Sequence, residues 1–314
     1  MIRLLVGRIV SLIATLIVTA VVAFVLLDLI PGDPALNMLG TEAREDTLAA
    51  ARRLLGLDRP PLERLLAWLT GIPVGDFGVS FRYRVPVAEL LAQGLAVTVP
   101  LGLLAVAITV AIALPLALLA VAFHRRWPDA TISVVSQLGL ATPNFWVALL
   151  LILVFSIGLG WFEASGFPGW STGVLPALKA LLLPAVAMAL PQAAILLRAA
   201  RAALLESARA DYARTARAKG LSRGAVLVRH VLANAMMPIA TVMGLQFAVL
   251  LAGSIIIENV FVLPGLGRLV FQAIQQNDLI VVRNAVLVIA AMVLAINLAV
   301  DLCYLALNPR LRGR

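Results

Sequence analysis

The chain has 314 residues, of which 62% are hydrophobic and 13% charged, and its mean hydropathy is +1.03. Soluble domains carry roughly 45–50% apolar and about 25% charged residues, so the composition excludes an ordinary soluble protein and indicates a membrane protein. The formal net charge of +9 comes without a basic–aromatic recognition pattern, so no nucleic-acid partner is expected. With one cysteine, Cys303, and two histidines far apart in sequence, we expect no intrachain disulfide and no metal site.

A short basic segment precedes the first long apolar stretch, residues 9–30. About 22 residues form a helix of roughly 33 Å, which is enough to cross a bilayer. A cleaved signal peptide is the alternative, but the apolar run is too long and no small-residue cleavage site follows it. The pattern therefore predicts a first transmembrane helix with a cytoplasmic N-terminus.

A polar insert follows this span, from the helix-breaking sequence Pro-Gly-Asp-Pro at 31–34 to about residue 92. Residues 41–55 predict an amphipathic helix capped at Thr41, and residues 62–69 predict a second short helix. The insert then becomes irregular, with glycines and a proline as punctuation.

Five further apolar stretches predict transmembrane helices. Their expected bounds are 97–123, 132–159 with Pro143 and Asn144 inside it, 175–197, 238–261 and 281–307. Prolines and glycines within these spans either loosen helices that move or reflect the general composition of membrane helices. Polar residues such as Asn144 and Gln246 either line a pathway or join helices.

The charges sort unequally between the two sides of this topology. Fifteen lysines and arginines fall on the side of the N-terminus, against three acidic residues, Asp129, Glu206 and Asp211. The positive-inside rule therefore predicts that both termini are cytoplasmic. Residues 265–278 form an extracytoplasmic connection in this arrangement.

The segment 198–238, between the predicted fourth and fifth spans, is polar and strongly basic. Residues at helical spacing place three side chains on one face: Leu204, Ala208 and Tyr212. Gly220 tolerates the left-handed conformation that ends a helix, and Ser222 can cap the next helix at once. The sequence predicts a helix, a tight turn and a second helix, held at the membrane face by a span on each side.

The motif D-Y-x-R-T-A-R-A-K-G-L-S in this segment is followed after seven residues by H-x-L-x-N-A-x-x-P. This pattern resembles the cytoplasmic loop of the inner-membrane permeases of ABC importers. It is most similar to the B-type subunit of dipeptide, oligopeptide and nickel permeases. The wider importer loop has Leu-Pro 13 residues after its glycine, whereas this chain has Leu232-Ala233 there and its proline at 238. That departure argues against a sugar or phosphate permease.

In that family a short helix of the loop docks on a separate ATPase subunit. The resemblance implies that coupling to the ATPase involves Asp211, Tyr212, Ala216, Ala218, Lys219, Gly220 and Leu221, together with Arg229, His230 and Asn234 on the return helix. An ordinary basic loop that binds anionic membrane lipid is the alternative.

Two further stretches carry the same resemblance. The insert contains I-P-G-D-P, L-G-L-D and G-D-F-G-V-S, which are similar to the extracytoplasmic insert of peptide permeases. The insert either helps receive a substrate-binding protein or simply caps the helix bundle. The sequence I-I-I-E-N-V-F-V-L-P-G-L-G matches a family pattern after the fifth span and implies gating residues on the external side: Glu258, Pro264, Gly265 and Gly267. A carboxylate that merely faces the interface is the alternative for Glu258.

Motifs for chemistry are missing from the sequence. It has no phosphate-binding G-x-x-x-x-G-K-[ST] and no H-E-x-x-H, so we expect no enzymatic activity and no cofactor, with ATP bound by partner subunits. The charged residues within or near spans, Asp28, Lys179, Glu258 and Asp301, lie near span ends. A proton-coupled transporter, which needs charge in the middle of the membrane, is therefore the weaker alternative.

The sequence thus predicts an all-α membrane protein with six transmembrane helices and the type I ABC importer permease fold, with an extracytoplasmic insert between helices 1 and 2. Its predicted division is 1–94, the first helix and insert, and 95–314, the permease core with the coupling loop 198–238. The resemblance implies a bacterial inner-membrane permease subunit that imports di- or oligopeptides, or else nickel, glutathione or another small solute. Implied partners are a second permease subunit, as a heterodimer or a homodimer, two cytoplasmic ATPase subunits, an extracytoplasmic substrate-binding protein and membrane lipid.

Overall fold

The computed structural model describes residues 2–29, 35–36, 44–54 and 56–307, and these residues are almost entirely helical. The helices are α1 (Ile2–Asp28), α2 (Glu45–Leu54), α3 (Pro61–Gly71), α4 (Val87–Ala122), α5 (Trp127–Ala141), α6 (Asn144–Leu151), α7 (Val174–Arg209), α8 (Asp211–Ala218), α9 (Arg223–Val226), α10 (Leu232–Val260), α11 (Leu266–Gln275) and α12 (Leu279–Leu307). Wider π-helical turns follow α6 (Ile152–Gly158) and α9 (Leu227–Val231). Within these ranges the structure has no β-strand, only an isolated bridge between Val79 and Pro86.

Five continuous helical segments are long and apolar enough to cross a membrane: Val6–Asp28, Val87–Ala122, Val174–Arg209, Arg223–Val260 and Leu279–Leu302. The pair Trp127–Ala141 and Asn144–Gly158 passes the same criteria together, with a bend of 100° between its halves. Counted as one broken span, this pair completes the six helices. The predicted all-α membrane fold is therefore confirmed.

The third predicted span, 132–159, is not continuous. Thr142 is extended, with φ −93° and ψ 120°, and Pro143 follows it as the residue before α6. A proline ring disfavours helical geometry at the preceding residue and supplies no N–H of its own, so the helix stops here. Pro115 and Pro184, in contrast, lie inside unbroken helices.

The insert contains both predicted helices, with changed bounds. The first is α2, which begins at Glu45; Thr41, proposed as its cap, and the Pro-Gly-Asp-Pro sequence at 31–34 lie outside the described residues. The second, α3, begins with Pro61, which suits the first helical position because a proline needs no N–H partner there.

Helix α11 is absent from the sequence prediction, which treated 265–278 as a connection. Its buried residues Leu266, Val270 and Ala273 recur at helical spacing and form one apolar face. The amphipathic period was therefore visible in the sequence, but the neighbouring glycines and polar residues favoured a loop.

The chain divides into two compact units. The first comprises Met1–Thr98 with Pro264–Ala295, and the second comprises Val99–Leu263 with Ile296–Arg314. The division of the sequence at residues 94 and 95 stays a prediction.

The apolar core of the first unit joins the start of α4 to α11 and α12, through Val87, Leu91, Leu266 and Val281 among others. The Thr98 hydroxyl accepts a hydrogen bond of 2.8 Å from the backbone N–H of Leu266. Gly94 lets this backbone approach, because a Cβ at residue 94 would lie 3.0 Å from the same nitrogen. The start of α11 is thereby fixed against α4.

The core of the second unit includes the part of α7 from Ala193 to Leu204. Residues of α4, α7, α8, α9 and α10 meet there, and Leu196, Leu204, Val231 and Ile239 are almost completely buried. This cluster supports the polar segment that the sequence singled out.

Candidate functional site

The segment after the fourth predicted span is organised around the short helix α8. Helix α7 runs without interruption from Val174 to Arg209, and Ala210 then adopts an extended conformation, with φ −66° and ψ 154°. The chain turns at this residue, and α8 begins at Asp211. The predicted single helix containing Leu204, Ala208 and Tyr212 is therefore wrong.

The reason for the break is tertiary packing. Ala213 and Ala216 are three residues apart and share the inner face of α8, where they are 0% and 6% exposed. Both belong to the core cluster that contains Leu204 and Val231. A continuous helix through Ala210 would satisfy local propensity, but the turn buries these two alanines against the cluster.

The end of α8 confirms the predicted roles of Gly220 and Ser222. Gly220 has φ +85°, its N–H donates to the carbonyl of Arg217, and the N–H of Leu221 donates to the carbonyl of Ala216. These two bonds form a Schellman motif, in which glycine carries the left-handed residue without strain. The Ser222 hydroxyl then accepts a bond of 3.3 Å from the N–H of Ala225 and caps α9.

The outer face of α8 carries most of the residues that the resemblance implicates. Asp211, Tyr212, Ala218, Lys219 and Gly220 are exposed, and Tyr212 presents 40% of its surface. Ala216 lies on the buried face and Leu221 is half-buried against the core, so these two support the helix from beneath.

The outer face is also basic, since Arg214, Arg217 and Lys219 accompany the single carboxylate of Asp211. The distance between Asp211 and Arg214 is 3.9 Å and both side chains are more than three-quarters exposed, so this pair is weak. A rigid, exposed helix with an aromatic residue and several arginines has the composition of a protein-binding surface.

The three residues implicated on the return segment differ in exposure and in hydrogen bonding. Arg229 is exposed, His230 is half-buried, and both lie in the π-helical turn Leu227–Val231. Asn234 is exposed, and its Nδ2 donates to the backbone carbonyl of His230 at 2.7 Å. Single π-helical turns within α-helices are frequent at functional sites.

The sequence did not reveal an ion pair near this segment. Asp129 is 5% exposed and accepts two short bonds from Arg201, 2.7 Å from Nε and 2.8 Å from Nη2. The backbone N–H of Arg125 and the Nδ1 of His124 lie 3.1 Å from the same carboxylate. The bidentate geometry gives both strength and direction to the contact.

This ion pair attaches the turn that precedes α5 to helix α7. Arg201 precedes the break at Ala210 by nine residues, which is roughly 13 Å along a helix. Because 72 positions separate the two residues, no local pattern predicts the pair. One signal was present: Asp129 is among the three acidic residues on the basic side of the predicted topology.

The candidate gating residues do not form one cluster within either unit. Glu258 belongs to the second unit and is 0% exposed, so its side chain is enclosed by the protein. Pro264, Gly265 and Gly267 belong to the first unit, where Gly265 immediately precedes α11. A gating role for these four residues stays a prediction.

Comparison with known proteins decides the family. Residues 113–313 match the family described as binding-protein-dependent transport system inner membrane component, and residues 1–102 match its N-terminal counterpart. The chain belongs to this permease family. It is therefore a membrane permease component of an ABC transport system.

Two relatives illustrate the family. The permease is 39% identical to a predicted peptide transport system permease protein of Brucella abortus (strain 2308), over 99% of each chain. It is 36% identical to the glutathione transport system permease protein GsiC of Salmonella choleraesuis (strain SC-B67), over 97% of each chain.

A solved structure supports the fold. The crystal structure of an amino acid ABC transporter with histidines contains a chain that superposes with a TM-score of 0.51 at 21% sequence identity. The superposition covers 68% of this permease and 92% of that chain. It shows a shared fold, and the type I permease fold predicted from the sequence is confirmed.

Proposed function

We propose that this permease imports short peptides and that the outer face of α8 docks on a separate cytoplasmic ATPase subunit. The observation that carries the docking proposal is the two-sided character of α8. Ala213 and Ala216 anchor one face in the core, while Tyr212, Arg214 and Lys219 project from the other. A basic and aromatic face that is held in a fixed orientation is suited to bind a partner protein.

The connection from α8 to the membrane supports a coupling role. Helix α7 is continuous over 36 residues, so a displacement of α8 has a rigid element to act on. The bidentate contact between Asp129 and Arg201 passes the same displacement to the start of α5. In this mechanism the ATPases close on ATP, α8 moves with them, and the spans reorient between outward and inward access.

The family implies the remaining partners. The permease carries one coupling segment and two ATPase subunits need one each, so a second permease subunit completes the assembly, as a heterodimer in this proposal. An extracytoplasmic binding protein delivers the cargo. ATP binds only to the ATPase subunits. In the same arrangement both termini of the permease lie on the cytoplasmic side.

The cargo proposal rests on the relatives. One is named for peptide transport and another for glutathione transport, and both match this permease over nearly their full lengths. A short peptide is therefore the primary substrate class, and glutathione is the second candidate.

The test is uptake of radiolabelled dialanine and of radiolabelled glutathione by cells that express the complete transporter or lack this permease. We expect dialanine uptake that requires the permease, persists with a protonophore while ATP is maintained, and stops when ATP is depleted. Uptake that the protonophore abolishes at normal ATP would instead support a proton-coupled transporter. Uptake of glutathione alone would contradict the preference for general short peptides.

A further inference from the structure

The first unit contains a cavity of about 580 Å³ far along the chain from the coupling segment. Its walls come from the end of α1, from α3, from the irregular part of the insert and from the start of α12. Apolar side chains such as Phe24, Leu27 and Ile280 form much of the lining. Three arginines also reach it: Arg64, Arg84 and Arg283.

Arg283 is held in an unusual position for a charged side chain. Its guanidinium lies 4.5 Å from the ring centre of Trp68 and 5.9 Å from that of Phe24. Stacking on aromatic faces stabilises a guanidinium but leaves the N–H groups at its edge without acceptors. Among the described residues, Arg283 Nε has no hydrogen-bond partner and no carboxylate lies within 4 Å of the guanidinium.

The aromatic platform beneath Arg283 is itself fixed. Trp68 is 6% exposed, and its Nε1 donates to the Asn284 side chain at 2.8 Å. Asn284 in turn donates to the carbonyls of Phe77 and Ile280, also at 2.8 Å. These hydrogen bonds join α3, the irregular part of the insert and α12. The ring on which Arg283 stacks is therefore held in a fixed position.

The balance of charge around the cavity favours an anion. Asp28, the one carboxylate in the lining, is already paired with Arg64 at 2.7 Å. The guanidinium of Arg64 lies 5.6 Å from the Phe24 ring centre, so two cations share contact with this ring. Arg64 Nε also lacks a partner within the described part of the chain. Arg64 already has Asp28 as its counter-ion, whereas Arg283 has no acceptor among the described residues, and a largely buried cation without an acceptor is costly. An oxyanion with several acceptor atoms removes that cost.

The position of the cavity and the apolar surface beside it indicate which kind of oxyanion binds there. Asp28, which Arg64 contacts, is the last residue of α1, and Arg283 is the fifth residue of α12. Both positions lie at the ends of candidate spans, where we expect lipid headgroups. The last turns of α1 expose Val22, Val25 and Leu26, an apolar surface next to the cavity that suits acyl chains. We infer that this cavity binds the phosphate headgroup of an anionic phospholipid, with Arg283 and Arg64 as its ligands. This site is independent of the proposed cargo and of the coupling segment.

The experiment uses the purified transporter containing the full chain, titrated with phosphatidylglycerol in mixed micelles while thermal unfolding and retained lipid are measured, the latter by native mass spectrometry. We expect phosphatidylglycerol to raise the melting temperature, and Arg283→Gln to need about tenfold more lipid for the same rise. One charge-assisted hydrogen bond is worth roughly that factor. Arg82→Gln is the matched control, since Arg82 is an exposed arginine that does not line the cavity.

Three competitors distinguish a lipid phosphate from a soluble anion and test whether acyl chains alone are sufficient for binding. Inorganic phosphate and dialanine supply a soluble phosphate and a peptide carboxylate, and diacylglycerol supplies the same chains without phosphate. Equal lipid dependence of wild type and Arg283→Gln would overturn the inference, and so would an equal effect of any competitor. If Arg283→Gln does not purify as a single species, Arg64→Gln removes the second proposed ligand and leaves the stack of Arg283 on Trp68 intact. Several-fold weaker binding of the lipid to that variant supports the site, and unchanged binding overturns it.

Discussion

Replacing Gly220 with valine lowers peptide-stimulated ATP hydrolysis of the assembled importer by about tenfold, whereas Gly220→Asn retains most of it. Gly220 has φ +85°, and no atom lies within 4 Å of the position that a Cβ would occupy. The effect of valine is therefore one of backbone strain and not of a steric clash with a neighbour. The left-handed conformation costs an ordinary residue roughly 1–2 kcal/mol, and asparagine tolerates it better than a β-branched residue does.

That strain acts on the connection between α8 and the return segment. If valine rotates residue 220 out of the left-handed region, the bonds from Gly220 to Arg217 and from Leu221 to Ala216 are lost. The docking face then loses its fixed orientation, and a cost of about 1.4 kcal/mol lowers the ratio of competent to displaced conformers tenfold. The measurement is ATPase activity in proteoliposomes with peptide-loaded binding protein. Equal activity of the valine and asparagine variants, both normally assembled, would show that the turn has no part in coupling.

Removing the charge of Asp129 destabilises the second unit by about 3 kcal/mol. Asp129→Asn cannot accept two charge-assisted bonds from Arg201, which leaves a partly buried guanidinium without its counter-ion. The side chain of Arg201 is 28% exposed, so water relieves some of the loss, and the expected cost lies at the low end for buried pairs. The observable is the free energy of unfolding of the purified permease in detergent.

A double variant identifies the contact as the cause. Asp129→Asn combined with Arg201→Gln is expected to be less destabilised than the sum of the single variants, by about 1–3 kcal/mol, because the two groups are in direct contact. Asp211→Asn is the matched control, because its pair with Arg214 is long and exposed, and we expect no measurable change in stability. Additive effects of Asp129 and Arg201 would mean that the pair contributes nothing as a unit.

Local chemistry explains which parts of this permease the sequence could predict. The apolar runs that became α4, α7 and α12 are visible because a membrane span needs about 20 apolar residues in succession. Gly220 and Ser222 were also predictable, since the end of one helix and the cap of the next depend on those residues alone. The break at Pro143 had an equally local signal, which the length of the apolar run outweighed.

Long-range contacts explain the remainder. The turn at Ala210 has no signal in an alanine- and arginine-rich stretch, because it is the packing of Ala213 and Ala216 that selects it. The contact of Arg201 with Asp129 and that of Trp68 with Asn284 join residues 72 and 216 positions apart. Such pairs depend on how helices come together, and a periodic pattern within one helix carries no information about its partner.

The most direct test of the central claim is photo-crosslinking from position 212 in cells that express the complete transporter. A photoreactive amino acid replaces Tyr212 on the outer face of α8, and in a second strain it replaces Leu175, an 80% exposed residue at the other end of α7. We expect a cross-link to the ATPase subunit from position 212, with a yield that changes with ATP, and none from position 175. No ATPase cross-link at position 212, or an equal yield at position 175, would contradict the docking of α8 on the ATPase.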